Sequence, residues 1–420
     1  MKGELFIPPN FNPIFASFVD LMLPGILKVH QNITEIILTE SDKQKLRALK
    51  NSRVLLCTNH PSHAEPMITW YLANIMGERF NYMATRRAFD FLGGMLGTMF
   101  SNLGGYSIVP GIADKGAMKM TRQILSKRSG KLTIFPEGEP MCGENDNLMP
   151  FQPGPVVLAF GALEDARKSE PDADIALQPG FIKYVIDSPL SEIKKTLEKA
   201  TNQVERALGI IPPAGRTMLR RFLIIGLRLL GDMEKRYDIK VEKGQNFDYR
   251  TGKIRHVILD NVADFLKLKK YDRKADAIQK VRFLTSVLEM VEIGLDVPGL
   301  RELGPKELQW ANRECVLAYD LIVIKRDYLL NRPTPERYFE WLARFESLVL
   351  GTPPHALGGK PSHLPRRAHI FLGETIKLSE FLPEYKKNKK SAVELVTSSL
   401  RTEIGELLED AQPLTSILIE

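Results

Sequence analysis

The chain has 420 residues, of which 44% are hydrophobic and 26% are charged, a composition that suits one or two folded domains. Its net charge of +7 is not gathered into a dense basic patch with interleaved aromatic residues, so we expect no nucleic-acid partner. Three scattered cysteines argue against a disulfide framework, and no secretory signal opens the chain, so we expect a cytoplasmic protein.

The first predicted element is the segment 14–27, which is apolar apart from Ser17 and Asp20 and is interrupted by Pro24 and Gly25. The chain has no stretch of about 20 uninterrupted apolar residues, which argues against a helix that spans a membrane. An apolar segment of this length is nevertheless suited to lying on a membrane surface.

A candidate catalytic pair follows the first predicted buried strand. Residues 54–57 are an apolar run that predicts this strand, residues 67–76 predict a helix, and His60 and Glu65 lie between them. Histidine can take a proton from a hydroxyl near neutral pH, and a carboxylate at the start of the helix can reach back to orient it. A metal site of His60, His63 and Glu65 is the alternative, but zinc needs a further ligand and the remaining histidines lack ligand-like spacing.

The following elements alternate between short strands and helices. Strands are predicted at 81–84, 106–109, 132–135 and 175–184, and helices at 114–127 and 154–166. This alternation is typical of an α/β domain. The third of these strands runs into Pro136, Glu137 and Gly138, a turn that presents a carboxylate at its tip.

After residue 187 the pattern changes to helices of ordinary length, with few strand signals. Examples are predicted at 190–208, 272–291 and 334–350. The segment 216–231 combines four arginines with a wide apolar face. Such a helix packs against the protein's own core or lies on an anionic interface, and the sequence leaves both interpretations open.

The end of the chain returns to the style of the first part. A Pro- and Gly-rich stretch at 351–365 is followed by a predicted strand at 367–374 and a predicted amphipathic helix at 391–408. We therefore predict a discontinuous α/β domain made of residues 1–187 and 365–420. The helical insertion between the two parts covers residues 188–364.

Four blocks, in their order along the chain, resemble the glycerolipid acyltransferase family, typified by enzymes that acylate lysophosphatidic acid. The blocks are Asn59-His60-Pro61-Ser62-His63-Ala64-Glu65, Gly104 to Pro110, Phe135-Pro136-Glu137-Gly138-Glu139 and Ile175 to Pro179. The resemblance implies a mixed sheet flanked by helices, with the large helical insertion placed before the last strand, as in some bacterial relatives.

The resemblance implies that His60 is a general base that deprotonates the acceptor hydroxyl, while Glu65 holds its imidazole in the productive tautomer. It also implies an acceptor-binding set: Arg86, Phe135, Pro136, Glu137 and Gly138. The expected donor is acyl-CoA or an acyl-carrier protein, and the expected acceptor is a lysophospholipid such as 1-acylglycerol 3-phosphate. We expect no metal and no cofactor, and a protein that is peripheral on the inner, anionic face of the membrane.

Three departures from the family pattern bear on the acceptor. Glu65 replaces the usual aspartate, Pro110 stands where relatives usually carry an arginine for the acceptor's phosphate, and Glu139 and Pro140 alter the end of the third block. Other cations, such as Arg86, Arg87 or Lys115, could hold the phosphate instead. The alternatives are a different acceptor, such as glycerol 3-phosphate, a lyso-ornithine lipid or another alcohol, and a non-catalytic lipid-binding relative.

Overall fold

The structure is a computed structural model that describes residues 5–138, 144–211, 215–242, 244–352 and 362–419. Glu139 and Pro140 of the third block lie outside the described residues. The chain divides into two compact units. Within the described residues, unit 1 comprises 5–138, 145–185 and 365–414, and unit 2 comprises Glu144, the part of 186–364 that is described, and 415–419.

Unit 1 contains an eight-stranded, mostly parallel sheet. Its strands are β1 (Ile33–Leu38), β2 (Arg53–Thr58), β3 (Asn81–Thr85), β4 (Gly105–Ile108), β5 (Lys131–Ile134), β6 (Ile175–Ile186), β7 (Arg366–Leu372) and β8 (Ile376–Lys377). The order is β1-β7-β6-β2-β5-β3-β4, and β8 pairs antiparallel with β6. This mixed sheet flanked by helices confirms the predicted fold class.

Strand β1 was not among the predicted strands, and it pairs in parallel with β7 at one edge of the sheet. Only Ile33 and Leu38 of this strand are buried, so its sequence lacks both the continuous apolar run of a central strand and a clean alternation. The pairing joins residues more than 300 positions apart, which local patterns do not reveal.

Helices cover the sheet in unit 1 and build unit 2. In unit 1 they are α1 (Pro13–Gln31), α2 (Glu40–Ala48), α3 (Glu65–Met76), α4 (Arg86–Asp90), α5 (Met95–Asn102), α6 (Lys115–Ser126) and α7 (Gly154–Ala166). Unit 2 contains α8 (Leu190–Ala207), α9 (Met218–Arg236), α10 (Phe247–Phe265), α11 (Ala277–Glu292), α12 (Pro305–Val323), α13 (Arg326–Asn331) and α14 (Pro335–Leu350). Unit 1 closes with α15 (Leu382–Lys387) and α16 (Lys389–Ala411), and short 3₁₀ turns lie at Phe91–Gly94, Leu378–Phe381 and Gln412–Leu414.

The central strand β2 shows why the sheet is covered on both faces. Leu55 and Cys57 point into a core with α6, α7 and α16, while Val54 and Leu56 point into a second core with α1, α2 and α3. Successive side chains of a strand alternate between faces, so an apolar run with no polar position needs helices on both sides. The whole of β2 is buried as a result, and its end is held in a fixed place.

The first helix begins where Asn12 caps the backbone amides of Ile14 and Phe15 at 3.0 Å, and it continues through Pro24. In the part of the chain that the structure describes, it is the one helix long and apolar enough to cross a membrane, by length and composition alone. Because Pro24 and Gly25 interrupt its apolar sequence, this helix was not predicted as a span, and the peripheral location of the protein stays a prediction. Most of the helix surface is exposed.

The apolar face of α9 belongs to the core of unit 2. Phe222, Ile225 and Leu229 of this helix are buried there together with aromatic residues of α14. Arg221 is also buried, with its guanidinium bonded to the carboxylate of Glu205 at 2.5 Å. Of the two interpretations left open for the segment 216–231, the structure supports core packing.

Unit 2 also holds a buried group of ionisable side chains. The Arg344 guanidinium lies 3.6 Å from a carboxylate oxygen of Glu144 and 3.6 Å from one of Asp320. Burial raises the pKa of Asp320 to about 7, with Arg344 opposing and Glu144 reinforcing the shift. This carboxyl group therefore titrates near neutral pH inside the folded unit.

Candidate active site

The block that contains the candidate pair begins just beyond the end of β2. The side chain of Asn59 accepts a hydrogen bond from the amide of Ile182 at 2.8 Å and donates one to the carbonyl of the same residue at 3.0 Å. Ile182 lies on β6, the neighbour of β2 in the sheet. The two hydrogen bonds fasten the chain to β6 immediately before His60, so the position of the histidine just beyond the end of β2 is fixed.

His60 and Glu65 form a buried pair, as their spacing predicted. The chain bends through residues 61–63 and enters α3 at Glu65, so the carboxylate lies in the first turn of that helix. Its Oε2 is 2.7 Å from Nδ1 of His60, and both residues are buried. The positive end of the helix dipole favours the carboxylate at this position.

Two more donors fix the Glu65 carboxylate. The amide of Ser62 donates to Oε2 at 3.0 Å, and the Ser62 hydroxyl donates to Oε1 at 2.7 Å. An ionised carboxylate accepts hydrogen bonds only, so Nδ1 of His60 carries the proton that points at it. Nε2 is then the unprotonated nitrogen, which is the tautomer that a general base requires.

The third block packs directly on His60. The ring of Phe135 stacks on the imidazole, with 4.1 Å between ring centroids and 21° between planes. Oε1 of Glu137 accepts the amide of His60 at 2.9 Å, and its Oε2 accepts the amide of Met149 at 2.7 Å. Burial raises the pKa of Glu137, while these two amide bonds lower it. Glu137 thus joins the two blocks through the backbone of the histidine.

Pro136 and Gly138 form the turn that places Glu137. The amide of Gly138 donates to the carbonyl of Phe135 at 2.9 Å, and the carbonyl of Pro136 accepts the amide of Gln152 at 2.7 Å. Gly138 has φ of +94°, which a side chain would disfavour. The glycine therefore permits the tight return that keeps the carboxylate against the histidine.

A family model described as Acyltransferase matches residues 37–182, from within β1 to within β6. This part of the chain belongs to the acyltransferase family. The match includes the pair, the turn that follows β5 and most of the sheet, and the protein is an acyltransferase that acts on a lipid acceptor. No match was found among curated proteins or among solved structures.

The candidate phosphate-binding cations Arg86, Arg87 and Lys115 follow the carboxyl ends of parallel strands, at the same edge of the sheet as His60 and Glu65. Arg86 follows β3, which is two strands from β2 in the sheet order and so about 10 Å away. It is buried at the start of α4 and forms an ion pair with Asp90. Arg87 and Lys115 are exposed, and Lys115 is the first residue of α6, five positions after Pro110. The parallel order of β2, β5, β3 and β4 brings all these positions to one edge.

Two side chains that contact the pair were missed by the sequence analysis. Ser62 lies inside the first block but was given no role, although a serine three residues before a helical glutamate can bond to it. Tyr184 lies on β6, and its hydroxyl donates to Oε1 of Glu65. A tyrosine in a buried strand needs a partner for its hydroxyl, which was the available signal.

The other candidate chemistries have little support in this structure. Among the described residues, no group of three or more His, Cys, Asp or Glu side chains could hold a metal ion, and His63 is exposed. Cys57 is buried within β2, and burial raises the pKa of its thiol to about 12. A thiol that stays protonated is a poor nucleophile, so Cys57 serves packing.

Proposed function

We propose that this acyltransferase moves a fatty acyl group from a thioester, acyl-CoA or an acyl-carrier protein, to the free hydroxyl of a lysophospholipid such as 1-acylglycerol 3-phosphate. His60 is the general base in this proposal. The observation that carries it is the 2.7 Å contact between Nδ1 of His60 and a buried carboxylate, which leaves Nε2 as the basic nitrogen.

The reaction balances with His60 as the only proton carrier. Nε2 takes the proton of the acceptor hydroxyl as the oxygen attacks the thioester carbonyl, and the new C–O bond forms. Collapse of the tetrahedral intermediate breaks the C–S bond, and the imidazolium returns the proton to the departing thiolate. Glu65 stabilises the imidazolium in between, and the stacked ring of Phe135 holds the imidazole plane.

A phosphorylated acceptor requires a cation near the histidine. Pro110 supplies neither charge nor donor, so the phosphate must be held by other residues along the same sheet edge. Arg86 already pairs with Asp90, whereas the exposed Lys115 at the start of α6 forms no ion pair with any other residue that the structure describes. We propose that Lys115, aided by the start of its helix, contributes to phosphate binding.

A lipid acceptor requires contact with a membrane, and α1 carries a suitable surface. Ala16, Leu23 and Leu27 are buried on one face, while Ile14 and Leu21 on the other face are 83% and 78% exposed. Asp20 fastens this helix to α3, because its carboxylate accepts the indole N–H of Trp70 at 2.7 Å and the side-chain amide of Asn74 at 2.9 Å. Because α1 is bonded to α3 in this way, we expect it to lie on the membrane surface and not to span the membrane.

A second apolar surface lies beside the beginning of α1. Its exposed side chains are Phe91, Leu92, Met95 and Met99, on the turn and helix that follow α4. The amides of Asn10 and Asn12 donate to the carbonyls of Ser101 and Asn102 at 2.9 Å, which joins the two segments. We propose that both surfaces contact the anionic inner face of the membrane from the cytoplasm.

The function is tested by offering acyl-CoA and acyl-carrier protein donors with a panel of acceptors, and identifying the products by mass spectrometry. The acceptors are 1-acylglycerol 3-phosphate, glycerol 3-phosphate, a lyso-ornithine lipid and a long-chain alcohol. We expect the lysophosphatidate to be acylated fastest. A phosphate-free acceptor that is acylated faster would contradict the proposed substrate while leaving acyl transfer intact.

The role of His60 is tested with a matched pair of variants. His60→Ala is expected to lose at least about a thousandfold in kcat, because no other base replaces it. His63→Ala is the control, since His63 is an exposed histidine three residues away. Equal rates for His60→Ala and the native enzyme would refute the general-base mechanism.

A further inference from the structure

The carboxylate of Glu65 is held from the far side by a residue of β6. Oε2 faces His60 at 2.7 Å, while Oε1 accepts hydrogen bonds from the hydroxyls of Ser62 and Tyr184. Tyr184 lies two positions beyond the end of the segment that matches the family. It reaches the pair because β6 is the neighbour of β2 in the sheet and extends past its end.

Tyr184 is itself held at its backbone and at its ring. Its amide donates to the side-chain oxygen of Asn145 at 2.5 Å, and the guanidinium of Arg366 lies 4.1 Å from its ring centroid. Burial and the neighbouring charge of Glu65 raise the pKa of the Tyr184 phenol well above its ordinary value. The phenol therefore stays protonated and acts as a donor throughout the working pH range.

The position of Tyr184 explains why glutamate can serve in the pair. An aspartate at position 65 would be one methylene shorter, by about 1.5 Å, and from the same backbone it could not keep both the contact with His60 and the contact with Tyr184. The longer side chain spans the space between the two partners. Oε2 of Glu65 then contacts His60, and Oε1 contacts Ser62 and Tyr184.

We propose that Tyr184 is a positioning residue of this acyltransferase, which fixes Oε1 of Glu65 so that Oε2 faces Nδ1 of His60. The inference rests on the proposed role of His60 as the general base. Because its hydroxyl withdraws charge from the carboxylate, Tyr184 also sets how strongly Glu65 favours the imidazolium.

The test is Tyr184→Phe, which removes one oxygen and keeps the ring. We expect kcat to fall about ten- to a hundredfold with little change in KM, since Oε1 is no longer fixed and Oε2 is less well aligned with Nδ1 of His60. The carboxylate then keeps more charge, so the acid limb of the pH dependence of kcat/KM is expected to move to higher pH. A residue that served folding alone would not move this limb.

Tyr106→Phe is the matched control. Its hydroxyl is also buried in unit 1 and lies 2.7 Å from the hydroxyl of Thr121 on α6. We expect a comparable loss of thermal stability with an unchanged acid limb. The combination of Glu65→Asp with Tyr184→Phe tests whether Tyr184 acts through Glu65. An aspartate that keeps its contact with His60 does not reach Tyr184, so the second substitution is expected to change kcat less than about twofold in that background.

A substitution that keeps the fold provides a second measurement. Incorporation of 3-fluorotyrosine at position 184 leaves the packing nearly unchanged and makes the hydroxyl a stronger donor, so the acid limb should move to lower pH. The inference is overturned if neither variant moves the limb, or if Tyr184→Phe lowers kcat equally in the native and Glu65→Asp backgrounds. Failure of the general-base mechanism itself would appear separately, as full activity of His60→Ala.

Discussion

Replacing Glu65 by glutamine removes the charge of the pair while its shape is kept. The amide oxygen can take the place of Oε2 and accept from Nδ1 of His60 and from the amide of Ser62. The NH₂ group then faces the hydroxyls of Ser62 and Tyr184, both of which can accept a hydrogen bond. We therefore expect Glu65→Gln to fold, with His60 in its native orientation.

The expected loss of rate follows from the distance within the pair. A contact of 2.7 Å between Nδ1 and Oε2 puts the centres of the imidazolium and carboxylate charges about 4 Å apart, which corresponds to about 4 kcal/mol at an effective dielectric constant of 20. The imidazolium forms only as the hydroxyl is deprotonated, so this energy is lost from the transition state and not from substrate binding. We expect kcat to fall about a thousandfold, with KM nearly unchanged.

The assay measures thiol release from the acyl thioester at saturating lysolipid, with the product identified by mass spectrometry. Glu170→Gln is the control, because Glu170 pairs with Arg53 at the opposite end of β2. Both variants should melt within a few degrees of the native protein. A kcat for Glu65→Gln within about tenfold of the native value, or a loss confined to KM, would refute the electrostatic role of this carboxylate.

Three further predictions concern the membrane surface and stability. Phe18→Glu combined with Leu21→Glu on α1 is expected to weaken binding to anionic vesicles at least about tenfold in a cosedimentation assay. The control is Leu395→Glu, which changes an exposed leucine of α16 outside the core that this helix covers, and it should bind like the native protein. Gly97→Ala on α5 is expected to lower the free energy of unfolding by about 1–3 kcal/mol in urea titrations, since its Cβ would lie 2.3 Å from a backbone oxygen of α4. A free energy of unfolding equal to the native value would contradict the expected clash between α4 and α5. The raised pKa of Asp320 predicts that protonated Asp320 stabilises the folded state fully below pH 3.8 and that this contribution is lost as the pH rises through about 7. Between pH 4 and pH 8, the free energy of unfolding of the native protein should therefore fall by up to about 4 kcal/mol relative to that of Asp320→Asn. A difference between the two proteins that stays constant with pH would contradict the raised pKa.

Local patterns predicted the central part of the fold well. The predicted strands at 54–57, 132–135 and 175–184 each overlap an observed strand, and the predicted helix at 154–166 has the observed bounds. The strands are buried on both faces and the helix is buried on most of its surface, so each segment is a nearly continuous apolar run that can be recognised from its own residues. The edge strand β1 was missed because its environment depends on a partner far along the chain.

The pair of His60 and Glu65 was predictable because both residues lie at one strand-to-helix junction, where five positions of chain set the distance. The stacking of Phe135 and the bond from His60 to Glu137 were not predictable, although both blocks were recognised. Those contacts depend on β2 and β5 being neighbours, which the order of elements along the chain does not state.

The sequence by itself determined the class of fold, the acyltransferase blocks and the identity of the histidine and its carboxylate, since these depend on residue type and short spacing. Only the tertiary structure decided which surfaces remain exposed and which distant side chains meet. It assigned the apolar face of α9 to a core and left the outer face of α1 exposed, and it brought Tyr184 to Glu65 across 119 positions. The physical reason is that burial and hydrogen bonding are properties of neighbours in space, and a sheet makes neighbours of strands that the sequence keeps apart.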